Sequence, residues 1–139
     1  MPEPENPPVR GLTIKQPWAW AITAGKNVEN RTWKVPRKCI GVTLLVHAGL
    51  KPARDAFLDE RILTLPAMPP VLATGAVLAI ARLAGCHPED GGCCAPWGDP
   101  GAFHWQLEDV RPLPEPVTYT GALSLWKPSF ALLQKVQAL

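Results

Sequence analysis

An α+β fold, a small β-barrel with flanking helices, is predicted by three features of this 139-residue chain. Five or so short apolar runs of strand length mix with helical patterns out of strict alternation, which argues against a doubly wound sheet. Strands this short in so small a chain remove their open edges best by curling into a barrel. Finally, 47% hydrophobic against 19% charged residues supplies one packed core and excludes a wholly disordered chain. No apolar run approaches the roughly 18 residues of a membrane span.

The elements follow in order. Residues 1–9 read as a loose arm, because Pro2, Pro4, Pro7 and Pro8 forbid helix, and residues 10–139 as a single domain. Residues 11–15 form a first strand. Pro17 suits the first turn of a helix running to about Ala24, with Gly25 as its stop. Residues 27–33 alternate as a strand, with Val28, Asn30 and Thr32 on one face and Glu29, Arg31 and Trp33 on the other. Residues 42–48 are a buried strand ending near His47. Residues 52–63 read as an amphipathic helix with Ala56, Leu58 and Ile62 inward. After the break at 66–70, residues 74–83 form another apolar strand, and 84–100 a loop rich in Gly, Pro and Cys. The last strands are 103–107 and 119–125, separated by the proline-dense stretch 111–116, and 129–139 form a terminal helix. Trp105 is the core residue of its strand, with His104 outward.

The net charge of +2 hides a lopsided distribution. Between Arg10 and Lys38 lie seven basic residues and a single acid, Glu29. Concentrated positive charge on a nearly neutral chain points to an anionic ligand, phosphate first. Within that segment Lys15, Gln16 and Trp18 sit where a strand meets a helix, Lys26 lies in the next turn, and Glu29, Arg31 and Trp33 share a strand face. Together they offer what nucleotide binding needs. Arg forks onto phosphate or a base edge, Trp stacks, Glu accepts from an exocyclic amine, and Lys takes phosphate. If desolvated, Lys26 is also a nucleophile or base, with Glu29 as proton carrier. The bland alternative is an internal Glu29–Arg31 ion pair with Trp33 in the core. His47 closes a buried strand, where it either bonds backbone or reaches a cleft. Trp97 follows a proline in a loop and is a stacking candidate; Trp20 is inward and Trp18 at the cleft edge.

No cofactor and no metal centre is predicted. Cys86, His87, Cys93 and Cys94 place four soft ligands within nine positions, but the spacing matches no standard zinc finger, and small buried hydrophobes are the usual state of cysteine. The first eight residues have neither the basic start nor the apolar stretch of a signal peptide, so a reducing, cytoplasmic setting is expected.

Two motifs carry a family resemblance. Gly-Leu-Thr-Ile-Lys-Gln-Pro-Trp at 11–18 and Gly-Lys-Asn-Val-Glu-Asn-Arg-Thr-Trp at 25–33 resemble the activating-signal-cointegrator homology (ASCH) family. The later stretches at 45–49, 95–97, 101–105, 119–121 and 125–126 are similar to that family in the same order. The resemblance implies a PUA-like β-barrel whose members bind RNA or modified nucleotides in a cleft beside the barrel. Lys26, Glu29 and Arg31 match the family pattern Gly-x-Lys-x-x-Glu-x-Arg, with the glycine position falling on Ala24. Small relatives that are amidohydrolases on acetylated cytidine look to use a lysine and an arginine at the places of Lys26 and Arg31, a threonine at that of Glu29, and a second acid. Glu89, Asp90 and Asp99 are the candidates for that acid, and none aligns to a motif. The expectation is therefore binding of RNA, single-stranded nucleic acid or a modified nucleotide in a basic, Trp-lined cleft. A hydrolase using Lys26, Glu29 and Arg31 (amidohydrolase or ribonuclease) and a protein-interaction domain are the alternatives.

Overall fold

Leu44, Val46 and Ala48 face one side of the strand β3 (Thr43–Ala48), and Leu45 and His47 the other; all five are buried, so this strand lies inside the molecule. The structure, a computed structural model, describes residues 8–90 and 94–138. The predicted arm at 1–9 falls almost wholly outside them. Around β3 the chain builds one six-stranded sheet in the order β2-β5-β4-β3-β1-β6, curled into a half-barrel. Its members are β1 (Val9–Ile14), β2 (Val28–Arg31), β4 (Ala76–Pro88), β5 (Phe103–Thr118) and β6 (Leu125–Trp126). β1 and β3 run parallel, pairing Val9 with Thr43 through Ile14 with Ala48, and every other neighbouring pair is antiparallel.

Alternation splits the core in two. Leu12, Ile14, Leu44, Val46, Ala79, Ala81, Leu83 and Trp105 meet the helix α1 (Trp18–Thr23), which buries Ala19 and Ile22 among them. On the opposite face Leu45, Val77, Val117 and Trp126 receive Leu132 and Val136, one turn apart on α3 (Phe130–Gln137). Ser129 caps that helix by accepting from the Leu132 N–H at 3.1 Å. Gly25, at φ +119°, ends α1 as expected.

Four predicted elements change. The helix at 52–63 is a 3-10 turn at Arg54–Leu58 followed by a single turn, α2 (Glu60–Leu63). Asp59 between them is extended (φ −65°, ψ 130°) and its carboxylate caps the Arg61 N–H, so the helix restarts there; of the three predicted core positions only Ile62 is buried. β4 continues to Pro88, taking in the start of the predicted loop at 84–88. β5 absorbs the prolines at 112, 114 and 116, because β2 covers only Phe103–Gln106 of its other edge and the register with β4 shifts three times. A proline on an uncovered edge removes no ladder bond. Residues 119–124 form a loop, and strand pairing begins only at Leu125. No helix among the described residues is long and apolar enough to cross a membrane.

Gly11 lies directly beneath the Trp126 indole, where an added Cβ would overlap the ring. That ring has no room to retreat: its Nε1 donates to Thr13 Oγ1 and its face stacks on Tyr119. Gly11→Ala is therefore expected to destabilise the fold by about 1–3 kcal/mol, the usual cost of overpacking. Urea unfolding should show the loss.

Candidate functional site

The local sequence brings three charges together. Glu29 and Arg31 are two residues apart on β2, hence on one face. Lys26 turns in from the end of α1, its backbone N–H held by the Ala21 carbonyl at 2.9 Å. Glu29 divides its two oxygens: Oε1 accepts from Lys26 Nζ at 3.1 Å, and Oε2 accepts from Arg31 at 2.9 Å. Lys26 Nζ also donates to the Val28 carbonyl and lies 5.5 Å from the centre of the Trp18 ring. With Lys26 only 2% exposed, this is a desolvated ammonium that bonds one carboxylate and one carbonyl and rests near an indole face. Arg31 passes the chain of contacts on. Its Nη2 donates to the Thr13 carbonyl at 3.0 Å, and Nη1 has no hydrogen-bond partner among the described residues. Its side chain is 24% exposed.

Arg31 borders a cleft of about 750 Å³ at the carboxyl ends of β1 and β3. Lys15 and Lys51 stand at the same cleft, and Leu50 and the 92% exposed Leu123 supply apolar wall. Among the described residues no Asp or Glu lines it. The loop at 118–124 forms its far side and is pinned by His47. Trp126 Nε1 donates to Thr13 Oγ1 (3.2 Å), Thr13 Oγ1 faces His47 Nδ1 (3.2 Å), and His47 Nε2 meets the Tyr119 carbonyl at 2.6 Å. The carbonyl can only accept, so this network assigns the proton to Nε2 and lets Nδ1 accept from the Thr13 hydroxyl. Gly121 packs on the same ring, where a Cβ would come within 2.7 Å of it.

The structure sorts the predicted site residues. Lys15 and Arg31 border the cleft. His47 also borders it but is buried, with both ring nitrogens in use, so it positions the loop. Gln16 is buried as well: its Nε2 donates to the Ala73 carbonyl and its Oε1 accepts from the Trp20 N–H, which ties the cleft wall near Thr74 to α1. Lys26 borders a separate hollow of about 300 Å³, with Asn27 and Asp109. Trp33 leaves the strand and stands edge-on to Trp105 at 4.7 Å, away from the cleft. Trp97 is only 7% exposed, packed with Ala21, Val28 and Ile62 under the Arg61 guanidinium; proline-led loop sequence concealed this because the covering residues come from three distant segments. Trp18 packs between the cores, 5.3 Å from Arg61. Among the described residues no tryptophan lines the cleft.

Sequence reasoning missed Lys51, Leu50 and the 118–124 loop. Only the parallel pairing of Ile14 with Ala48 brings Lys15 and Lys51 to one rim. It also missed Arg61. That guanidinium forks onto both Asp59 oxygens (2.9 and 2.8 Å) and reaches Asp99 Oδ1 at 2.9 Å and the carbonyls of Pro96 and Trp97. Of the acids considered for catalysis, Asp99 is therefore engaged outside the cleft, and Glu89 and Asp90 border a different hollow with His87. Among the metal candidates, Cys86 turns away and its Sγ accepts from the Val35 N–H, while Cys93 lies outside the described residues. His87 and Cys94 do meet, and they are joined by His104, which is fully buried and not outward as expected.

No protein-family model and no curated protein matches the chain. Solved structures do. The crystal structure of an ASCH protein from Zymomonas mobilis superposes with a TM-score of 0.60 at 16% identity, covering 94% of each chain. A single-substitution mutant of ZmASCH from the same organism gives 0.56 at 16% identity, covering 94% of this chain and 97% of the other. The chain thus shares its fold, a small α+β half-barrel, with these ASCH structures.

Two outcomes are expected from the charges. Glu29→Gln leaves Lys26 buried without a counter-charge and should cost about 3–5 kcal/mol. Lys26→Met keeps the Glu29–Arg31 pair and should cost less, about 1–3 kcal/mol; chemical denaturation of both variants checks the order. For Asp59, the bonds from Arg61 outweigh partial burial and hold its carboxyl below the ordinary 3.8. The lowered native value contributes stability that is fully present above 3.8 and is lost as pH falls from there through the lower native value. Asp59→Asn keeps a cap, so at neutral pH it should cost about 1 kcal/mol or less. In unfolding curves at a series of pH values that difference should close on acidification.

Proposed function

We propose that this chain binds RNA, or a modified nucleotide, in the cleft between β1, β3 and the 118–124 loop. One observation carries the reading: the cleft has three cations, Lys15, Arg31 and Lys51, and no described acid, on a largely apolar wall. A nucleotide presents that pairing in reverse, an anionic phosphate attached to a flat, weakly polar base. Its volume of about 750 Å³ lies within the usual range for small-ligand sites. Arg31 is the preset donor, held by Glu29 and the Thr13 carbonyl with Nη1 left for phosphate or a base edge. Lys15 and Lys51 are exposed and add steering charge. The base lies against Leu50 and Leu123, and not against Trp33 or Trp97.

The hydrolase reading asks Lys26 to attack or take a proton. A buried lysine beside an acid is the arrangement such chemistry uses. Here, however, the ammonium is paired to Glu29 and Val28 and borders the hollow by Asp109, with Arg31 alone reaching the cleft. Binding without turnover fits that placement better.

Fluorescence anisotropy with a short labelled single-stranded RNA tests the reading. Affinity should fall steeply with salt. Lys15→Ala and Lys51→Ala should each weaken it several-fold and flatten the salt slope by about one. Salt-independent binding, or affinity unmoved by both substitutions, would count against the cleft. Turnover of RNA or acylated cytidine that Lys26→Met abolishes in a folded protein would replace this reading by the catalytic one.

A further inference from the structure

We propose that His87, Cys94 and His104 form a zinc-binding site that clips the loop between β4 and β5. One ligand atom from each, two ring nitrogens and a thiol sulfur, lie within 4.8 Å of one another. His87 Nε2 is already 3.2 Å from Cys94 Sγ. Zinc bonds of about 2.0–2.1 Å to nitrogen and 2.3 Å to sulfur set tetrahedral ligands roughly 3.5 Å apart. The widest pair here needs to close by roughly 1 Å, which is side-chain rotation.

The supporting bonds point the same way. His87 Nδ1 meets the Pro88 carbonyl at 2.8 Å, and His104 Nε2 meets the Asp99 carbonyl at 2.7 Å. A carbonyl only accepts, so each contact places the ring proton on that nitrogen and the lone pair on the other one. For His87 the lone-pair nitrogen is the one facing Cys94. A histidine that donates one N–H to backbone and offers its second nitrogen is the usual arrangement of a metal ligand.

The fold builds this meeting from two independent constraints. His87 and His104 are directly opposed in the β4–β5 register, so their rings share a face, 5.6 Å apart. Cys94 returns over them on a turn in which its carbonyl accepts from the N–H groups of Trp97 and Gly98. Gly98 must stay side-chain free there, since a Cβ would lie 2.5 Å from the His104 ring. The turn is anchored without the metal as well, by Asn30, whose amide bonds the Trp97 carbonyl and the Asp99 N–H, and by Arg61. Zinc would then add to a folded site, taking up the thiolate with release of the thiol proton to water, so that binding strengthens as pH rises. Soft sulfur with two imidazoles suits zinc better than magnesium or calcium.

Titration of the metal-free full chain with Zn²⁺ against a chromophoric chelator is the test. One zinc per chain is expected, with a rise in melting temperature on binding. Cys94→Ser and His87→Ala should each weaken affinity by about 100-fold or more, beyond the loss from a supporting bond alone. Cys86→Ser, on the other face of β4, should leave it intact. Co²⁺ in place of zinc should give a thiolate charge-transfer band that Cys94→Ser removes. His87 is half-buried at a strand end, so its variant should keep the wild-type circular dichroism even if a His104 variant unfolds. No zinc uptake by the wild type, or uptake unchanged in Cys94→Ser and His87→Ala, would reduce the cluster to a hydrogen-bonded pair and overturn the proposal.

Discussion

Glu29 is the residue on which the arrangement of this molecule turns. Its carboxylate is nearly buried between two cations and gives one oxygen to each. Burying any one of the three charges alone would cost several kcal/mol; together they offset one another. The division also sets geometry. Because Oε2 holds Arg31, the guanidinium cannot swing out with solvent, and its Nη2 reaches across to the Thr13 carbonyl on β1. An edge strand at one end of the sheet order is thereby bonded to the fifth strand, which closes the half-barrel on that side.

The same economy explains the charge and the tryptophans. The basic segment from Arg10 to Lys38 suggests a strongly positive surface, yet its Lys26 is spent inside and its Arg31 is half-neutralised by Glu29. The cleft draws its field from Lys15 and from Lys51, which lies outside that segment. Large aromatic rings, in turn, serve as the apolar faces on which internal cations rest. Trp18 lies 5.5 Å from Lys26 and 5.3 Å from Arg61, and Trp97 lies 5.8 Å from Arg61. Such contacts stabilise a desolvated cation and fill core volume at once. They also remove these rings from any role against a base.

Arg61 plays for the 94–101 loop the part that Glu29 plays for the sheet. One guanidinium supplies donors to Asp59, Asp99 and two carbonyls, and so fastens a loop without regular structure to a one-turn helix. The planar fork of five donors makes this feasible where a lysine would not. That loop then carries Cys94 and shelters His104.

Local rules made much of this legible in the sequence alone. The short strand-length runs behind β1, β3 and β4, the Gly25 stop, the terminal helix, and the Lys26–Glu29–Arg31 grouping all depend on neighbours within a few residues, as does the alternative of a Glu29–Arg31 pair. The ordered motifs resembling ASCH domains pointed to the fold that the solved structures share. What the tertiary structure decided involves long separations or burial by remote segments. The parallel pairing of β1 with β3 joins Lys15 to Lys51, and the 119–121 loop closes over His47. Trp97 is covered from three directions, β5 keeps its prolines only because β2 is short, and the β4–β5 register turns His104 inward to His87. Periodicity states which side of a strand a residue takes; which neighbour waits on that side is set by packing between elements far apart in the chain.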